Sequence, residues 1–250
     1  MSALSVCAST VSLIGREHLR LPAFSVPTFS MPVLVYLFFG TVRGRAAGQG
    51  GAESATSLEL LGYCGFAVLG VALFSFGASL ALERVSPWEQ FQRTLPVSGG
   101  VRYVARVAVV LTFSLASLLP LLAVGLTVGG ADPGVVLRPV NLLPLALGVA
   151  VFSALGTTLG YWLPVRGAVP LTNLIYLPLS FAGGLLGAAR ADRVDRWGVL
   201  PTTQWNELLY GTSVRHCVPV TATVGLLCWL AVLSLLALVG YQRVQRETFR

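Results

Sequence analysis

Long apolar runs alternate with short polar stretches from residue 24 to residue 241, and this alternation predicts the architecture. The apolar runs span 24–40, 58–81, 104–128, 142–163, 169–188 and 219–241. Each is long enough to cross a hydrocarbon core of about 30 Å, the first only marginally. Uninterrupted apolarity at that length, with no period-two alternation, predicts an all-α integral membrane protein of six transmembrane helices, forming a single domain over 1–250. The connection at 164–168 is so short that spans four and five are expected to be antiparallel neighbours. Residues 41–57 form a Gly/Ala/Ser-rich loop, and 129–141 a turn-rich one containing Asp132-Pro133-Gly134.

Two polar stretches are too long to be plain turns. The first, 82–106, contains a helix start: Ser86 as N-cap, Pro87 at the first helical position, and Glu89 completing a capping box. Trp88, Phe91 and Leu95 fall on one face of that helix, Gln92 and Arg93 on the other, and Pro96 with Gly99-Gly100 ends it. An aromatic face on a short helix between two spans calls for a burial site: a docked partner or the membrane interface itself. The second stretch, 189–218, carries Trp197, Trp205, Asn206 and Glu207, a composition suited to short interfacial helices with tryptophans at headgroup level. Ahead of the first span, Arg16, Glu17, His18 and Arg20 alternate with apolar residues. That pattern fits either an interfacial amphipathic helix or a frayed tail.

Composition sharpens this picture. Of 250 residues 55% are hydrophobic and 11% charged, against about a quarter charged in soluble domains. The net charge of +7 comes entirely from arginine, and the chain has no lysine. A phosphate-binding P-loop needs one, so any ATP that drives this protein is expected on another chain. Ten arginines and four acidic residues, a balance of +6, fall in the N-terminus, 82–106, 164–168 and the C-terminus; seven and six, a balance of +1, fall in the other segments. The positive-inside rule then puts both termini and the 82–106 stretch in the cytoplasm. The arginine bias is also that of a GC-rich bacterial genome, a matter of codons and not of function. No basic n-region precedes a compact apolar run, so no cleavable leader is expected.

No Asp, Glu, Lys, Arg or His falls in the middle of a span, whereas ion-coupled carriers and proton pumps bury such groups near the midplane. The span hydroxyls and amides, among them Thr112, Thr157, Thr158 and Asn173, are expected to bond helix to helix. The cysteines show no metal spacing; Cys64 and Cys217 either pair near one membrane face or are inert thiols. Neither His18 nor His216 belongs to a catalytic motif, so no catalytic or metal residue is predicted. A conduit without its own motor remains.

The chain resembles the ABC-2 type permeases, membrane subunits of bacterial ATP-binding-cassette exporters, over essentially its whole length. The resemblance is carried by Gly15-Arg16-Glu17-His18 leading into the proline-bearing span 27–40, and by Ala81-Leu82-Glu83-Arg84. It continues in Trp88-Glu89-Gln90-Phe91, Leu95-Pro96-Val97-Ser98 and Leu177-Pro178-Leu179-Ser180-Phe181-Ala182-Gly183-Gly184. Where the family usually has a charged residue followed by Gly-Thr, this chain has Val85-Ser86-Pro87. The resemblance implies that 82–106 is a coupling helix docking into a separate ATPase subunit, with Glu83, Arg84, Trp88, Glu89, Gln90, Phe91 and Arg93 as contacts. It implies a membrane-surface connecting helix at Arg16, Glu17, His18 and Arg20, and short extracellular helices capping the exit at Trp197, Trp205, Asn206 and Glu207. It also implies a second permease subunit as homodimer or heterodimer, contact with membrane lipid, and ATP and magnesium held by the partner, with no cofactor in this chain and no nucleic acid.

The function expected is export of a small hydrophobic compound (a drug, natural product or lipid-like molecule), as in multidrug efflux. Export of polysaccharide or glycolipid is the alternative within the class. A membrane assembly or immunity module that moves nothing is the alternative outside it. A lipid-modifying enzyme would need a constellation in the second polar stretch, where Asp192, Asp195, Glu207 and His216 form no recognisable motif.

Overall fold

The structure is a computed structural model that describes residues 22–41, 53–86, 99–186, 197–213 and 215–248. Every regular element among them is helical. Helix α1 (Pro22–Val35) continues as a π-helical turn, Tyr36–Gly40. Helix α2 runs from Glu53 to Ala72, passes through a π-helical stretch at Leu73–Ala78, and closes with Ser79–Glu83. Helix α3 is Gly99–Thr127 and α4 the single turn Pro133–Val136; then come α5 (Leu142–Trp162), α6 (Ala168–Ala182), α7 (Pro201–Ser213) and α8 (Val220–Thr248).

Four stretches are long and apolar enough to span a membrane: Thr56–Glu83, Tyr103–Thr127, Pro139–Trp162 and Val220–Val244. The two remaining predicted spans are shorter helices, α1 with its apolar part at Phe29–Gly40 and the 15-residue α6. The fifth apolar run thus folds into less helix than its length predicts, and the reason is local. Gly184 takes a left-handed φ of 74°, the Leu185 amide donates to the Ser180 carbonyl at 3.0 Å, and the Gly184 amide donates to that of Phe181 at 3.1 Å. This Schellman ending stops the helix, and glycine is the residue that adopts its left-handed position without a Cβ clash.

Helix α2 is the hub. Over its most apolar window 78% is buried, against 17% for α8. Its π-helical stretch packs against α5 on one side and α6 on the other, while α8 runs along α5 and α1 lies on α2 and α3. The short 164–168 connection therefore does not make spans four and five neighbours, because α2 stands between α5 and α6. Small residues make that wedge possible. A Cβ on Gly156 of α5 would sit 2.8 Å from the Ala72 carbonyl oxygen of α2, so the two backbones meet at a distance only glycine permits. On the α6 side Tyr176 stacks on Phe66 at 4.7 Å and donates its hydroxyl to the Phe66 carbonyl at 3.1 Å.

The span hydroxyls mostly turn back onto their own helices. Thr112 donates to Ala108, Thr157 to Ser153, Ser180 to Tyr176, and the Asn173 amide to Val169, each four residues back. In apolar surroundings the nearest free acceptor is that preceding-turn carbonyl. Thr158 is the exception: it also reaches the Leu233 carbonyl of α8 at 3.0 Å.

The second polar stretch differs most from expectation. Helix α7 is packed among α2, α5, α6 and α8 rather than displayed on the surface of the bundle. Trp205 is 1% exposed; its indole donates to the Pro144 carbonyl at 2.6 Å and meets Phe152 edge-on at 5.2 Å. Gly65 of α2 and Gly148 of α5 flank the ring, and a Cβ on either would collide with it. A buried tryptophan needs a partner for its N–H, and the second lone pair of the Pro144 carbonyl in the first turn of α5 supplies it.

Candidate functional site

At one end of the bundle, where α2 leads into the 87–98 segment, the helix ends are tied together. The Arg84 guanidinium donates to the carbonyls of Tyr161 at 2.5 Å and Leu163 at 2.6 Å, at the C-terminus of α5. Those carbonyls lack intrahelical partners, and a cation there also complements the negative end of the helix dipole. Beside it, Glu83 forms an ion pair with Arg106 of α3. The Arg106 guanidinium lies over the Phe76 ring, 5.8 Å from its centre. The third tie joins α5 to α8: Trp162 donates to the Leu236 carbonyl at 3.2 Å, Arg243 lies over the Trp162 ring, and Tyr161 meets Tyr241 edge-on. Four helix ends are thus joined by two adjacent residues of α2 and two of α5.

This placement bears directly on the candidate coupling residues. Glu83 and Arg84 are part-buried and hold neighbouring helices of their own chain. Trp88, Glu89, Gln90, Phe91 and Arg93 lie outside the described residues, as do Arg16, Glu17, His18 and Arg20. In the second polar stretch, Trp197 is 52% exposed, Trp205 is core, and Glu207 is half-buried. Asn206 donates to the carbonyls of Gly183 and Gly184 at 3.2 and 3.3 Å, closing the end of α6.

The opposite end carries a polar network that sequence reasoning passed over. Arg138 donates from Nε to the Gly134 carbonyl at 2.7 Å and from Nη1 to the Ser213 carbonyl at 2.9 Å, and the same Nη1 lies 3.1 Å from His216 Nδ1. His216 takes a φ of 53°, a left-handed conformation rare for residues with a side chain. The Asn141 amide donates to Val135 and Val136, and its oxygen accepts from the Ser213 hydroxyl at 2.8 Å. Asp132 caps α4 through the Gly134 amide, and its own amide donates to the Ser57 hydroxyl at 2.9 Å. The one sequence signal was an arginine followed by proline just ahead of an apolar run. Glu59, 6% exposed in the second turn of α2, is a buried carboxylate near this same end.

Between the network and the bundle interior lies a cleft of about 520 Å3. Its floor includes Leu61 and Cys64 of α2 and Trp205 of α7; its lips are leucines of α3 and α5; Arg138 and Asn141 close one end. Among the described residues no group of three or more His, Cys, Asp or Glu side chains is placed to hold a metal. Cys64 is a buried free thiol, while Cys217 and Cys228 are exposed free thiols.

Polar side chains that tie helix ends, and apolar faces between those ends, define an all-helical multi-pass membrane protein. The ABC-2 type transporter family matches the chain over residues 10–189, well over half its length, and the chain belongs to that family. It is accordingly a permease component of an ABC transporter. No curated protein matches it. The match reaches from the N-terminal segment to just beyond α6, so α7 and α8 lie outside it.

Proposed function

We propose that this chain is the transmembrane subunit of an ATP-driven exporter, that a separate ATPase docks on the 87–98 segment, and that a second permease subunit completes the pathway. The observation that carries this reading is the clasp. The segment leaves α2 at Glu83-Arg84 and rejoins the fold at α3, and those two helix ends are bridged by Glu83 and Arg106. Arg84 extends the connection to the end of α5. A displacement applied to the segment therefore reaches three helices together, which is how a rigid-body movement passes into a membrane domain. Trp88 and Phe91 are the residues offered to the ATPase groove, with Glu89, Gln90 and Arg93 beside them. Glu83 and Arg84 act inward, as positioning residues.

The cargo class follows from what the helices present. Several of their hydroxyls, among them Thr112, Thr157 and Ser180, are occupied by their own carbonyls, and no Asp, Glu, Lys, Arg or His lies in the middle of a span, which suits a small hydrophobic compound better than an ion. The test is co-expression with candidate ABC ATPase subunits from the same genome, reconstitution in nanodiscs, and assay of ATP hydrolysis. Wild type is expected to retain the ATPase and Trp88→Ala/Phe91→Ala to lose it. Arg84→Ala is expected to retain the ATPase but to lose stimulation of hydrolysis by hydrophobic compounds. Undiminished binding and stimulation in the double variant would remove the 87–98 segment from the mechanism.

A further inference from the structure

We propose that the cleft beside Arg138 is a phospholipid site, taking one acyl chain along its apolar walls and the lipid phosphate at the Arg138 guanidinium. The site is separate from the clasp and rests only on the chain being a membrane protein.

Four observations converge on this. First, a space of about 520 Å3 is far larger than the gaps packed proteins tolerate; it falls in the ~300–1,000 Å3 range of small-molecule sites. Second, it is a poor home for water. Its walls are almost entirely apolar, and at its polar end the Asn141 amide and carbonyl are committed to Val135, Val136 and Ser213. Water needs about two to four polar partners, and away from the Arg138 end the lining is apolar but for the Cys64 thiol and the Trp205 indole N–H, which is already given to Pro144.

Third, the cleft opens to where lipid is. Leu119, 69% exposed, and Leu115 stand one turn apart on α3, and Leu142 faces them from the start of α5, all three exposed and belonging to stretches long enough to span. The floor behind them is buried: Leu61, Cys64 and Trp205. A cleft with apolar lips and floor that lies open beside exposed span leucines accepts a chain from the bilayer.

Fourth, the polar end has a charge and a held geometry. Arg138 is fixed by Gly134 through Nε and by Ser213 and His216 through Nη1, while Nη2 has no hydrogen-bond partner among the described residues. The neighbouring acid, Asp132, turns its carboxylate onto the Gly134 amide. A pre-positioned guanidinium with donor capacity left over suits a phosphate. Charge at the end of the bundle and hydrocarbon alongside it is the pattern of an amphiphile.

The experiment uses the full chain in phosphatidylcholine nanodiscs, with phosphatidylglycerol carrying a photoactivatable diazirine on its acyl chain. Adducts are mapped by mass spectrometry. The assay contains neither ATPase nor nucleotide, so its result is independent of the export reading. Adducts are expected on 115–122 of α3 and 61–65 of α2 above the level on the exposed Leu235 and Leu238 of α8. Ala116→Phe, which fills the cleft, is expected to abolish the excess, and Leu118→Phe gives a second filling variant should the first fail to fold. Arg138→Gln is expected to weaken the preference for the anionic probe over its phosphatidylcholine counterpart by ~5-fold, the effect of one cation at a membrane surface. Cleft labelling no greater than on α8, labelling unchanged in both filling variants, or an unchanged preference in Arg138→Gln would each overturn the proposal. Equal cleft labelling by a fatty-alcohol probe with no phosphate would do the same.

Discussion

Arg84 and Arg106 show how a side chain's partner decides what an arginine does. Both sit in a stretch, 82–106, that carries four arginines, and by charge alone both could face water or a partner subunit. Arg84 instead satisfies two terminal carbonyls of α5, and Arg106 spans from the cation face of Phe76 to Glu83. With side chains 33% and 15% exposed, the Glu83–Arg106 pair is part-screened, and its worth lies near the upper end of surface pairs, about 1 kcal/mol. A double-mutant cycle of Glu83→Gln and Arg106→Gln, read by thermal unfolding in detergent, is expected to give a coupling energy of that order. A coupling indistinguishable from zero would mean that the clasp does not hold in solution. The family resemblance cast Glu83 and Arg84 as contacts to a separate ATPase, and the bonds they make within their own chain were not legible, because residue type states what a group can bond to and not which way its helix turns it. Arg138 and Trp205 show the same limit from the other side: their neighbours come from residues 134, 213 and 216, and from 65, 144, 148 and 152, positions that adjacency does not reveal.

At the scale of elements, apolar run length located the helices well and their ends poorly. Helix α5 begins at Leu142, where its apolar run begins. Helix α6 stops at Ala182 although apolar residues continue, because Gly184 and the two reverse hydrogen bonds there outweigh apolarity. Replacing Gly184 by alanine forces a Cβ into the left-handed region and is expected to cost about 1–2 kcal/mol, seen as a lowered unfolding midpoint. A neutral result would show that the chain escapes by extending α6. Helix α7 was read as interfacial from its tryptophans and polar residues. Its buried side includes Thr202, Thr203, Trp205, Leu208, Leu209 and Thr212, with Thr202 and Thr212 bonded to carbonyls and so masked from the apolar surroundings. Polar residues whose hydrogen bonds are met internally cost little to bury, and composition does not register that.

For the whole molecule, the class was legible directly: long apolar runs admit only helices in a bilayer, and the bundle follows. Which helix occupies the centre was not legible. The six runs have similar apolarity, and α2 becomes the hub through glycines of α5 facing it and Tyr176 of α6 reaching it, features that are pairwise. Orientation, argued from arginine balance, has a direct check in the free thiols. With both termini cytoplasmic, exposed Cys217 between α7 and α8 faces outward, so a membrane-impermeant maleimide is expected to label it on intact cells. Buried Cys64 should react only after denaturation. Labelling of Cys217 that required permeabilised cells would reverse the orientation.

The π-helical stretch at Leu73–Ala78 acts as a phase shift in α2. A π turn carries about one residue more than an α turn, so everything beyond it points roughly 100° away from where an unbroken α-helix would aim it. Tyr63 and Phe66 upstream and Glu83 and Arg84 downstream are each oriented correctly only because that offset lies between them. The rotational setting of the clasp is therefore stored a full turn or more away from it, in the winding of a hexapeptide that contains no charged residue. Two homologous chains could keep every residue of the clasp and still not form it, if one of them lacked a single residue in this stretch.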